Sequence, residues 1–146
     1  MKPVVFLRIA SVLTLIHAVL HTIGGVFSEP APGAAEAAVA AMKANQFLLM
    51  GNTRSYWDFY FGMGLCVTIF LTVEAIVFWL LAALARTDAA KLRPILIAFV
   101  AGYLALAINS WRSFFLGPVI VEILIALCVL LAIATATKPE IARKEP

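Results

Sequence analysis

LTLIHAVLHTIGG, residues 13–25, places His17 and His21 four positions apart in an otherwise apolar run, and no other histidine occurs in the chain. In a soluble core helix such a pair would be a packing detail. In a membrane each imidazole needs a reason to be present, because polar groups in hydrocarbon are costly. The solvent of this run therefore decides the fold.

Composition gives the solvent. Of 146 residues, 64% are hydrophobic and 13% charged, and the mean hydropathy is +1.02. Soluble domains carry about 25% charged residues, and a chain this short has little interior in which to hide so much apolar surface. A bilayer is the natural sink. Four apolar runs, at about 4–27, 55–84, 94–115 and 117–135, each reach the roughly 20 residues needed to cross hydrocarbon. Breaks fall at SEPAPG, RTDAAKLRP, LGP and KPE, which are turn-forming sequences. The expected fold is all-α: a four-helix transmembrane bundle forming one integral-membrane domain over 1–146. The first run exceeds the 7–15 residues of a signal-peptide core and reads as a retained span.

Basic residues give orientation. Lys2, Arg8, Arg86, Lys91, Arg93, Lys138, Arg143 and Lys144 flank one side, and Lys43, Arg54 and Arg112 the other. By the positive-inside rule this eight-to-three asymmetry puts both termini in the cytoplasm of a multi-pass protein of the inner (plasma) membrane. The loop 28–54 then faces outward, and its stretch GAAEAAVAAMKANQFLLM, rich in helix formers, is expected to fold as a short extra-membrane helix. The net charge of +3 implies no nucleic-acid partner, since the cations sit at the ends of apolar runs. Cys66 and Cys128 form no C-x-x-C pair, so thiol redox chemistry is unsupported.

At about 1.5 Å per residue, all four runs bring a polar group to within roughly 15 Å of the outer boundary. These groups are His17 and His21, then Asp58, then Asn109 and Arg112, and last Glu122. On the first run His17, His21, Gly24 and Gly25 share a stripe; on the third, Asn109 and Arg112 are neighbours three apart. The six are the candidate ligand-binding residues. The histidines would exchange hydrogen bonds, Arg112 would attract an anionic or carbonyl group, and Asp58 and Glu122 would orient or neutralise these. Glu74 falls on the opposite face from Asp58; Arg8 is its expected partner, or Arg8 equally snorkels to lipid headgroups. Tyr56, Trp57, Tyr60 and Trp111 read as an interfacial aromatic belt.

Histidines at i and i+4 can share a metal. This pair lacks the glutamate of the protease motif and any further histidine, so no metal and no cofactor is expected. The plain alternative is interhelical hydrogen bonding, worth about 0.6 kcal/mol per bond in membranes. The layer of six groups favours binding of a small apolar or amphipathic ligand in an outward-facing intramembrane pocket, with membrane lipid as surroundings and a homo-oligomer as an open option. Two other classes stay open: a membrane enzyme such as an isomerase using His–carboxylate acid/base chemistry, and a structural subunit of a membrane complex.

HTIGG, SYWDFYFGMGL and INSWRSFFLGPVIVEILIALCVLLA together resemble an uncharacterised family of small bacterial four-helix integral membrane proteins, a resemblance that implies topology and no activity. A looser architectural resemblance to the EXPERA family of emopamil-binding, sterol-isomerase-like proteins implies four membrane helices around a pocket with buried acidic residues.

Overall fold

The computed structural model describes residues 2–136; Lys138, Arg143 and Lys144 of the basic asymmetry lie outside the described residues. Of the described residues 84% are helical, which places the chain in the all-α class. Helix α1 covers Lys2–His21 and continues as a π-helical turn, Thr22–Val26. Helix α2 covers Ala34–Ala44, strands β1 and β2 cover Gln46–Leu49 and Asn52–Ser55, and α3 covers Tyr56–Asp88. A 3₁₀ turn, Ala89–Leu92, leads into α4 (Arg93–Ser113), and α5 covers Leu116–Thr135. Among the described residues three helical stretches are long and apolar enough to cross a membrane: Lys2–Val26, Tyr56–Ser113 and Leu116–Thr135. The second contains α3, the 3₁₀ turn and α4.

Element boundaries follow local chemistry. Ser55 and Asp58 open α3 with reciprocal bonds: the Ser55 amide and hydroxyl donate to Asp58 Oδ2 at 2.7 and 2.9 Å, and the Asp58 amide donates to Ser55 Oγ at 3.2 Å. This is a capping box, which satisfies amide donors that no helical carbonyl can reach. At the other end of α3, Lys91 bridges to Asp88 at 3.0 Å. Proline stands in the first turn of α4, where its missing N–H costs nothing. In the first turn of α5 a side chain on Gly117 would meet the Phe115 ring at 2.7 Å, so that exposed ring would have to move aside.

The loop 28–54 contains the expected short helix, α2, and adds a hairpin where QFLL was expected to be helical. Asn45 ends α2, its side-chain amide donating to the Ala41 carbonyl at 2.7 Å. The chain then forms an antiparallel hairpin in which Gln46 pairs with Ser55 and Leu49 with Asn52. Phe and Leu in QFLL favour extended backbone once their rings and methyls find a surface. That surface is the start of α3: the Phe47 ring lies 5.1 Å from Tyr56 and 5.6 Å from Phe59.

The described residues form two compact units, one holding the chain up to His17 and from Thr72 onward, the other Ala18–Leu71. The apolar core of the first unit joins Leu7 and Ala10 of α1, Phe78 and Ala82 of α3, Leu96 and Tyr103 of α4, and Ile125 and Val129 of α5. Phe78 stacks near Phe99 at 4.7 Å and near Tyr103 at 6.0 Å. Arg93 donates to the Ala136 carbonyl at 2.6 Å, tying the start of α4 to the end of α5. In the second unit Val26 is buried, and Phe27 packs edge-on to Phe61 at 5.6 Å.

Candidate functional site

Two polar levels run through the first unit. One lies at mid-helix. The Tyr103 hydroxyl, 1% exposed at the centre of α4, donates to Glu74 Oε2 at 2.8 Å. It also lies 3.3 Å from Thr14 Oγ1, and Thr14 donates to the Ala10 carbonyl at 2.8 Å. Beside them Ser11 donates to the Ala75 carbonyl at 2.6 Å. Buried hydroxyls in apolar helices need such acceptors; here they link α1, α3 and α4. The second level joins α4 to α5: Ser110 donates to Glu122 Oε1 at 2.9 Å, with both residues buried.

Glu74 borders an open groove of about 300 Å³, lined otherwise by Ile95, Ala98, Phe99, Gly102, Tyr103 and Leu106, of which Ile95, Ala98, Gly102 and Leu106 are exposed. Its wall is hydrocarbon and aromatic ring except at one carboxylate and one hydroxyl. The hydroxyl proton is committed to the carboxylate, so the polar side of the groove presents acceptor atoms. Among the described residues Glu74 has no ion-pair partner. Arg8, its expected partner, lies over the Trp79 ring at 3.9 Å, a cation–π contact that suits a guanidinium.

The six expected site residues divide between the units. His17, Asn109, Arg112 and Glu122 belong to the first, His21 and Asp58 to the second. Glu122 is buried on Ser110. Asn109 and Arg112 are exposed, and among the described residues Arg112 forms no ion pair. His17 is half-buried on α1. In the second unit His21 Nε2 lies 3.1 Å from the Gly64 carbonyl. Close by, Thr22 donates to the Ala18 carbonyl at 2.6 Å and meets Thr68 Oγ1 at 3.0 Å. Asp58 is exposed and serves as the α3 cap. Among the described residues no group of three or more His, Cys, Asp or Glu side chains is placed to hold a metal ion.

The Glu74–Tyr103 pair was missed because helical-wheel phase alone set it apart from the other polar groups. The available signal was a glutamate in mid-helix, which needs a partner wherever it lies. No protein-family model, curated protein or solved structure matches this chain.

Proposed function

We propose that the chain is a four-helix membrane bundle that binds a small, partly apolar molecule, with the Glu74 groove as the binding site. Helices α3 and α4 have 33 and 21 residues, enough for each to cross about 30 Å of hydrocarbon. With α1 and α5 this makes four crossings, and the basic asymmetry puts both termini in the cytoplasm. The observation that carries the binding reading is the groove itself: a carboxylate with no ion-pair partner among the described residues borders an open, hydrocarbon-walled hollow of about 300 Å³. Ligand sites are commonly apolar hollows with few, well-placed polar groups. Because the polar wall accepts and does not donate, the ligand's head is a hydrogen-bond donor, an amine or an alcohol, and its body lies on Ile95 and Leu106.

Thermal shift of the full chain in nanodiscs tests this, using matched alkyl or aryl amines, alcohols and carboxylates. The expected result is stabilisation by donor-headed compounds and none by carboxylates, with the response lost in Glu74→Gln. Gly102→Leu should also abolish it without unfolding the chain, since a side chain there would enter open space. An equal response in both variants, or none in the parent, overturns the reading. Orientation is tested separately in cells, with Cys66 and Cys128 replaced. A cysteine at Ala38 should react with an impermeant thiol reagent and one at Ala89 should not.

A further inference from the structure

We infer that the tip of the β1–β2 hairpin is a lipid anchor that docks on the phospholipid interface of the membrane holding the chain's own helices. The turn residues Met50 and Gly51 both have positive φ, 50° and 81°, the signature of a two-residue type I′ turn. Asn or Gly is favoured at its first position, and a bulky residue there is rare. Here the position carries Met, whose side chain is 95% exposed, next to Leu48 at 73% and Leu49 at 45%. Three consecutive exposed apolar residues, one of them in strained backbone, break the usual rules for a water-facing hairpin. Such breaks are expected where a residue serves function.

The surroundings fit lipid as the occupant. The Phe47 ring packs on Tyr56 and Phe59, so the hairpin base is fixed to the first turns of α3 in the same unit. Four-residue strands keep the tip within about 13 Å of that helix start. At the start of α3 Tyr56, Phe59, Tyr60 and Met63 are exposed as well. Tyrosine and tryptophan favour the headgroup level. Lys43, held over the Trp57 ring at 4.9 Å, and exposed Arg54 supply cations for lipid phosphates. Apolar tip, aromatic shoulder and cationic flank are the pattern of an interfacial element.

This inference rests on the membrane reading of the helices and is independent of the Glu74 groove. The test uses the full chain, with Cys66 and Cys128 replaced, at one copy per nanodisc of phosphatidylcholine and phosphatidylglycerol. A polarity-sensitive fluorophore is placed in turn at Met50→Cys, at exposed Glu36→Cys on α2, and at Ile69→Cys, which is 60% exposed on α3. The expected result is quenching of the labels at 50 and 69 by nitroxide lipids, with aqueous iodide reaching position 50 several-fold less than position 36. If the label at 69 is quenched and that at 50 behaves like that at 36, the anchor is refuted while the membrane reading stands. If neither 50 nor 69 meets lipid, both fail. Protection of position 50 only where several copies share a vesicle would assign the tip to a second copy and likewise overturn lipid docking.

Discussion

Tyr103 and Glu74 stand 29 positions apart in sequence and 2.8 Å apart in space, the phenol donating to the carboxylate. The same phenol lies 3.3 Å from Thr14 Oγ1, whose own proton goes to the Ala10 carbonyl, so its hydrogen bond ties α4 to α3 while α1 only packs against it. Tyr103→Phe should lower the stability of the solubilised protein by about 0.6 kcal/mol, and by no more than about 1.7, the range of membrane hydrogen bonds. A double-mutant cycle with Glu74→Gln measures the coupling, and strict additivity would mean that the bond contributes nothing.

Ser110 and Glu122 form the second interhelical bond. Glu122 Oε2 is buried with no hydrogen-bond partner among the described residues. Ser110→Ala strips the carboxylate of the donor it has and should cost about 1–3 kcal/mol. Glu122→Gln keeps an acceptor for Ser110 at nearly the same size and shape, so it should be the milder change. Denaturation of the two variants in mild detergent compares them, and the reverse order would contradict this account of the pair.

Arg112 was expected to close a polar chamber with Asp58 or Glu122. It is exposed, Asp58 caps α3 and Glu122 is bonded to Ser110. Arg112→Met should therefore melt within about 0.5 kcal/mol of the parent, as surface substitutions do. A large loss would reveal a counter-charge.

Gly64 lies against Val26: a side chain at Gly64 would meet Val26 Cγ2 at 3.0 Å. The Gly64 carbonyl also lies 3.1 Å from His21 Nε2. Gly64→Ala should destabilise by about 1–3 kcal/mol through overpacking, and Val26→Ala in the same chain should recover part of the loss. His21→Gln, which keeps a donor at similar size, should change stability by only a fraction of a kcal/mol. No rescue by Val26→Ala would show that the pair is not in contact.

The hydropathy of the chain by itself determined the helical class and the apolar, membrane-length stretches. Runs of twenty apolar residues are long enough to cross hydrocarbon, and proline, glycine and charge mark where they stop. SYWD also carried its own meaning: a serine three positions before an aspartate at a helix start is a local cap, settled by backbone donors within one turn. That local demand explains why Asp58 faces Ser55. The stretch after Ala44 shows the limit of propensity, because QFLL adopts a strand only once Phe47 has the Tyr56 and Phe59 rings to lie on.

Only the tertiary structure decided which face of each helix is buried. In a soluble helix the polar stripe reveals the outside, but a membrane helix is apolar toward lipid and toward its neighbours alike, so the sequence leaves its rotation about its own axis open. That rotation places Glu74 beside Tyr103 and exposes Arg112. It follows from interlocking shapes such as Phe78 against Phe99 and Leu7 among the buried side chains of α3 to α5. Close packing of this kind depends on side chains distant in sequence, and no periodicity along one helix encodes it.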